Sequence, residues 1–152
     1  MKLAEALITR AGYRQQFSEL RARLHKSLLV QEGETPPESA DKLMEELQHV
    51  LQQKDEIIRK INRTNVATLF QGDMTLAEAI VKRDTIIMER NLWKDAAEAA
   101  VPEFDRYSRS EIRRVSTIDV ARYQKKVERL SREMRELDMQ IQAMNWTVDL
   151  AA

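Results

Sequence analysis

Apolar side chains recur every three or four positions in four separate stretches of the chain, and each stretch is bounded by residues that stop a helix. Residues 2–30 carry Leu3, Ala6, Leu7, Tyr13, Phe17, Leu20, Leu24 and Leu28 at such steps, with Arg, Glu, Gln and Lys on the other faces. That spacing puts them on one stripe of an amphipathic helix. Gly33 and Pro36-Pro37 end it, because proline has no N–H to donate and clashes with the preceding turn. A second stripe runs through Leu43, Leu47, Val50, Ile57 and Ile61, widened by Met44, Leu51 and Ile58, and predicts a helix over 40–63. Ser39 or Asp41 can cap its free N–H groups.

The period breaks at "INRTNVATLFQGDMT". There Gln71-Gly72-Asp73 predicts a turn, and Val66 to Gln71 a short strand. Thr75 and Glu78 have the spacing of a capping box for a third helix over 75–101, which Pro102 stops. The fourth helix, predicted over 117–145 after Ser116 or Thr117, has the most regular seam: Val120, Tyr123, Val127, Leu130, Met134, Leu137, Ile141 and Met144. These alternate as a coiled-coil seam does, while Lys126, Glu133 and Asp138 beside it can face water or a partner helix. The expected fold is therefore all-α, one domain over 1–152: an antiparallel bundle of four long helices with coiled-coil-like packing. A small two-stranded β ribbon in the connectors would pair 111–116 with 66–71. Surplus seam positions on helices two and four point to a homo-oligomer.

Composition narrows the function. Twenty-five basic and 25 acidic side chains cancel, so no overall positive field attracts a polyanion, and a nucleic-acid partner is not expected. With no cysteine, disulfides and thiolate chemistry are excluded, which fits a reducing cytoplasm. Glu5 and Arg10 interrupt the apolar core a signal peptide needs. No stretch approaches the roughly 18 apolar residues of a membrane helix, so a cytoplasmic chain with no membrane span is expected.

The segments "INRTN" at 61–65, "RYSRSEI" at 106–112, "VSTIDV" at 115–120 and "IQAMNWTVDL" at 141–150, with the opening "MKLAEALI" and "VQEGE" at 30–34, resemble a septicolysin-like family of small bacterial helical proteins. The resemblance implies a helical fold without an established biochemical activity. The family's name implies a membrane-active cytolysin.

Candidate chemistry is sparse. Glu46 and His49 have the Glu-x-x-His spacing of di-iron bundles, but His25, the other histidine, has no glutamate three residues before it. No metal site, cofactor or catalytic residue is expected, and the histidines are too few for a serine triad with its base. On the third helix Arg83, Asp84, Arg90 and Asn91 lie on or beside the stripe of Leu76, Ile80, Ile87 and Ala97. A charge facing a core must be paired, so these four predict a buried polar network that sets register. The alternative is a polar pocket in which Arg83 and Arg90 clamp an anion.

The connector "RYSRSEIRRVST" at 106–117 supplies Arg106, Tyr107 and Arg109, the forks and ring a phosphate or single-stranded nucleic acid would use. Glu103, Asp105 and Glu111 sit among them and weaken that field, so the same side chains can equally staple helix ends. Asn62, Arg63 and Asn65 join this candidate ligand set. Helices two and four also share an ending, Asn62-Arg63-Thr64 and Asn145-Trp146-Thr147, which predicts neighbouring tips with Asn in the left-handed cap position. The expected function is thus a non-enzymatic self-assembling scaffold or interaction protein. A binder of a small phosphorylated or nucleic-acid ligand is the alternative, and a cytolysin is the third.

Overall fold

A computed structural model describes residues 1–103 and 112–152. The protein is all-α: helices α1 (Leu3–Ser27), α2 (Ala40–Ala67), α3 (Leu76–Ala99) and α4 (Val120–Thr147), with strands β1 (Leu69–Gln71) and β2 (Met74–Thr75) between α2 and α3. Its contacts group into two compact units, Met1–Ala77 with Gln142–Ala152, and Glu78–Ile141.

In the first unit α1 and α2 form an antiparallel hairpin. Leu20 of α1 meets Leu43, Leu47 and Val50 of α2, and Tyr13, Phe17 and Leu24 pack against that cluster. The backbone N–H of Lys2 donates to the Glu5 carboxylate at 2.6 Å and opens α1. The helix stops at Ser27, short of the predicted residue 30. Leu28 would have continued its stripe, but it and the following Leu29 and Val30 stay exposed. The chain then turns at Gly33, whose φ of 87° is in the left-handed region. Of the two candidate caps for α2 the structure uses Ser39, whose side chain accepts from the Lys42 N–H. Arg23 reaches the Glu38 carboxylate with two guanidinium nitrogens and ties the end of α1 to this cap.

α2 runs beyond the predicted residue 63 because Thr64 and Thr68 carry their hydroxyls back onto the carbonyls of Lys60 and Thr64. Neither Asn-x-Thr ending uses a left-handed asparagine: among the described residues only Gly33 and Gly72 have positive φ. The β ribbon also differs from expectation. β1 pairs with β2, Leu69 opposite Thr75 and Gln71 opposite Met74, and 112–116 is not strand. A turn at Gly72, with φ of 55°, closes a far smaller loop than a return from the distant connector would, at less entropic cost.

In the second unit α3 and α4 run antiparallel. The cap of α4 is Asp119, whose carboxylate accepts from the Arg122 N–H at 3.1 Å. Ser116, expected at that position, instead accepts from the Ile118 N–H in a turn of its own. Ala79, Ala97, Leu130 and Ile141 are buried, while Val120, Tyr123, Val127, Met134 and Leu137 of the α4 seam remain only partly covered.

Candidate functional site

Two polar clusters have defined geometry, one in each unit. The first is a clasp made by the residues after α4. The Leu3 N–H donates to the Val148 carbonyl and the Leu150 N–H to the Met1 carbonyl, both at 2.9 Å, and Lys2 bridges antiparallel to Asp149. The Lys2 ammonium lies 2.8 Å from the Asp149 carboxylate and 3.0 Å from the Thr147 carbonyl. The tail also docks on the end of α2. There the Ala151 N–H donates to the Thr64 hydroxyl at 2.9 Å, and the Arg63 guanidinium donates to the Ala152 carbonyl at 3.1 Å. Thr64 and Asn145 are both almost fully buried. The two tips that share the Asn-x-Thr ending are thus brought together, by tail-to-side-chain bonds that the sequence reading missed.

Hydrogen bonding to Lys2 and its charge hold the Asp149 carboxyl below the ordinary range. A carboxyl depressed in the folded state stabilises it above its unfolded pKa of about 3.9, and that contribution is lost as pH falls through the lowered value. Glu38, lowered by its hydrogen bond from Arg23, has the same sign. Acidification below about pH 4 is therefore expected to lower the protection of the Leu3 and Leu150 amides relative to the unfolded chain at the same pH. Lys2→Met should lower that protection modestly at neutral pH as well, since an exposed pair contributes little, and unchanged protection in both cases would refute the assignment.

The second cluster crosses from α3 to α4. The Arg83 guanidinium donates Nε and Nη2 to Asp84 at 3.0 and 2.8 Å and Nη1 to Asp138 of α4 at 2.9 Å. Burial works against its charge, but the bonds from Asp84 and Asp138 outweigh it and raise the pKa. Two turns along, Lys126 pairs with Glu89 at 3.4 Å and lies over the Trp93 ring, 5.6 Å from its centre. Trp93 meets Tyr123 edge to face at 4.7 Å, and Arg122 stands over Tyr123. Lys126 and Asp138, beside the predicted seam, thus face the neighbouring helix.

The predicted buried network needs correction. Arg83 and Asp84 are paired, whereas Arg90 bonds the neighbouring Asn91 side chain, so among the described residues the four make two separate pairs. Nor is the site buried: 22% of the Arg83 side chain and 57% of the Asp84 side chain are exposed, so the partner carboxylates reach from the rim of the helix pair. Of the candidate ligand residues, Arg106, Tyr107 and Arg109 lie outside the described residues. Asn62 is exposed, Asn65 is partly buried, and Arg63 is engaged by the tail. A small cleft between α1 and α2 is lined by Tyr13, Gln53, Glu56, Ile57 and Lys60, of which the sequence marked Tyr13 and Ile57 as core positions and none as a ligand residue. Among the described residues no three His, Asp or Glu side chains converge on a possible metal position, and no helix is long and apolar enough to cross a membrane.

The geometry defines an all-α protein of helix hairpins in which polar side chains latch tails and helix pairs together. The chain belongs to DUF6847, a family of unknown function, whose pattern matches residues 10–150. It is also similar to the crystal structure of a functionally unknown conserved protein from Corynebacterium diphtheriae, with 40% sequence identity, 99% of each chain covered and a TM-score of 0.92. No curated protein matches. The family match overturns the septicolysin-like resemblance: all the segments that suggested it except the opening "MKLAEALI" fall within the DUF6847 match, and neither comparison points to a cytolysin.

Proposed function

We propose that this DUF6847 protein is a non-enzymatic cytoplasmic interaction protein that assembles with copies of itself. The observation that carries this reading is the incomplete closure of the α4 seam. Leu130 and Ile141 are buried, but Val120, Tyr123, Val127, Met134 and Leu137 are left partly open to water. Burying apolar area gains about 25 cal/mol per Å², so a two-helix pair with an open seam gains by recruiting further helices. The absence of cysteine supports a reducing compartment.

Native mass spectrometry of the purified chain, backed by sedimentation velocity, tests it. A homo-oligomer at the bare polypeptide mass is the expected result. A monomer across the concentration range would overturn self-assembly, and retained small-molecule mass would transfer the case to the ligand-binding alternative at Arg106, Tyr107, Arg109, Asn62, Arg63 and Asn65.

A further inference from the structure

α3 has two apolar faces, and α4 covers only one of them. The inner face carries Leu76, Ala79, Ile80, Ile86, Ile87, Trp93 and Ala97 together with Arg83 and Arg90, all buried or partly buried. About half a turn round the helix, Val81, Met88 and Leu92 form a second stripe and are 65%, 73% and 70% exposed. Thr85 lies between them with its hydroxyl bonded to the Val81 carbonyl at 3.0 Å, so covering it leaves no donor stranded. Steps of four, three and four place these residues at alternating core positions of a coiled-coil heptad. A helix apolar on both faces is an interior helix.

We propose that this stripe is the docking face for α3 of a second copy, in antiparallel orientation; the inference rests on the self-assembly reading above. Charge complementarity selects the occupant and its direction. In the antiparallel pairing that sets Val81 against Leu92 of the second copy and Thr85 against its Met88, the flanking positions bring Lys82 opposite the second copy's Glu89, a half-exposed carboxylate that also pairs with Lys126 of its own chain. The other flank brings Asp84 opposite Asn91. The two-fold axis makes each pairing twice. Asn91 accepts from Arg90 through its carbonyl oxygen, which leaves its amide N–H groups to donate to the facing carboxylate. In a parallel pairing Asp84 would instead face Glu89, and like charges across the seam repel. At both ends of the antiparallel register Glu78 meets Asp95, which confines the contact to the middle two heptads.

The test uses the full chain, whose lack of cysteine lets one introduced thiol report a contact. Met88→Glu should weaken self-association at least about tenfold by burying an unpaired charge, with helicity and melting of the subunit unchanged. Asp95→Lys should strengthen it by replacing the end repulsion with a pair. Under mild oxidation, Val81→Cys chains mixed with Leu92→Cys chains should form disulfide-linked dimers, while neither variant alone should do so. Self-crosslinking of Leu92→Cys would overturn the antiparallel register. An oligomer indifferent to Met88→Glu would overturn this face and leave the self-assembly reading standing, whereas a monomeric wild-type chain would sink both.

Discussion

Leu43→Ala should cost the protein about 2–5 kcal/mol, the range for emptying a leucine site in a packed core. Leu43 is 2% exposed and sits in the α1/α2 cluster with Leu20, Leu47 and Val50. The surrounding side chains are held by two helices whose ends are tied by Arg23 and Glu38, so the site has little freedom to collapse onto the smaller residue. Urea unfolding followed by circular dichroism checks the magnitude. Leu51→Ala on the same helix is the control: Leu51 is 45% exposed, and its loss should cost well under half as much, because little of its surface leaves water on folding. Equal effects at the two positions would mean that α2 does not present the face described here.

That contrast shows what was legible in the sequence. The period of α2 put Leu43, Leu47, Val50, Ile57 and Ile61 on one stripe, and all are buried, but Met44 and Leu51, expected to widen that stripe, are exposed. The four helices and the turn at Gly72 followed from period and breakers alone. Helix ends were less legible, since they depend on hydroxyls bonding back to carbonyls at Thr64 and Thr68 and on which of several polar residues wins the cap, as Asp119 does for α4. The ribbon was misassigned because periodicity carries no information about which strand returns to pair. The charges of α3 were visible as misfits in its stripe, but their partner Asp138 lies 55 residues away from Arg83, and no local pattern announces a pairing at that distance. The second face of α3 was hidden for another reason: Val81, Met88 and Leu92 blur the period of the inner face and make the helix read as less amphipathic than it is.

The clasp leads to the second large effect. Thr64→Val removes the hydroxyl and nearly preserves its volume, so the expected loss comes from hydrogen bonding and not from packing. The Thr64 oxygen accepts from the Ala151 N–H and donates to the Lys60 carbonyl, and the residue is 3% exposed. The carbonyl keeps its helical role, but the Ala151 N–H loses its acceptor at a site that water reaches poorly. Leaving a fully buried donor unmatched costs about 1–3 kcal/mol, and because this bond is part-buried the loss should fall at the lower end of that range. The loss should appear first as local opening of residues 148–151, because the tail is otherwise held by two backbone bonds to Met1 and Leu3 and by exposed charges at Lys2, Asp149 and Arg63. Exposed pairs contribute little on their own. Hydrogen exchange at Ala151, Leu150 and Leu3 should therefore accelerate together in Thr64→Val, while Arg63→Ala should accelerate Ala151 less. If Thr64→Val left all three amides protected, the tail would be anchored by the strand bridge alone, and the shared Asn-x-Thr ending of α2 and α4 would have no part in holding it.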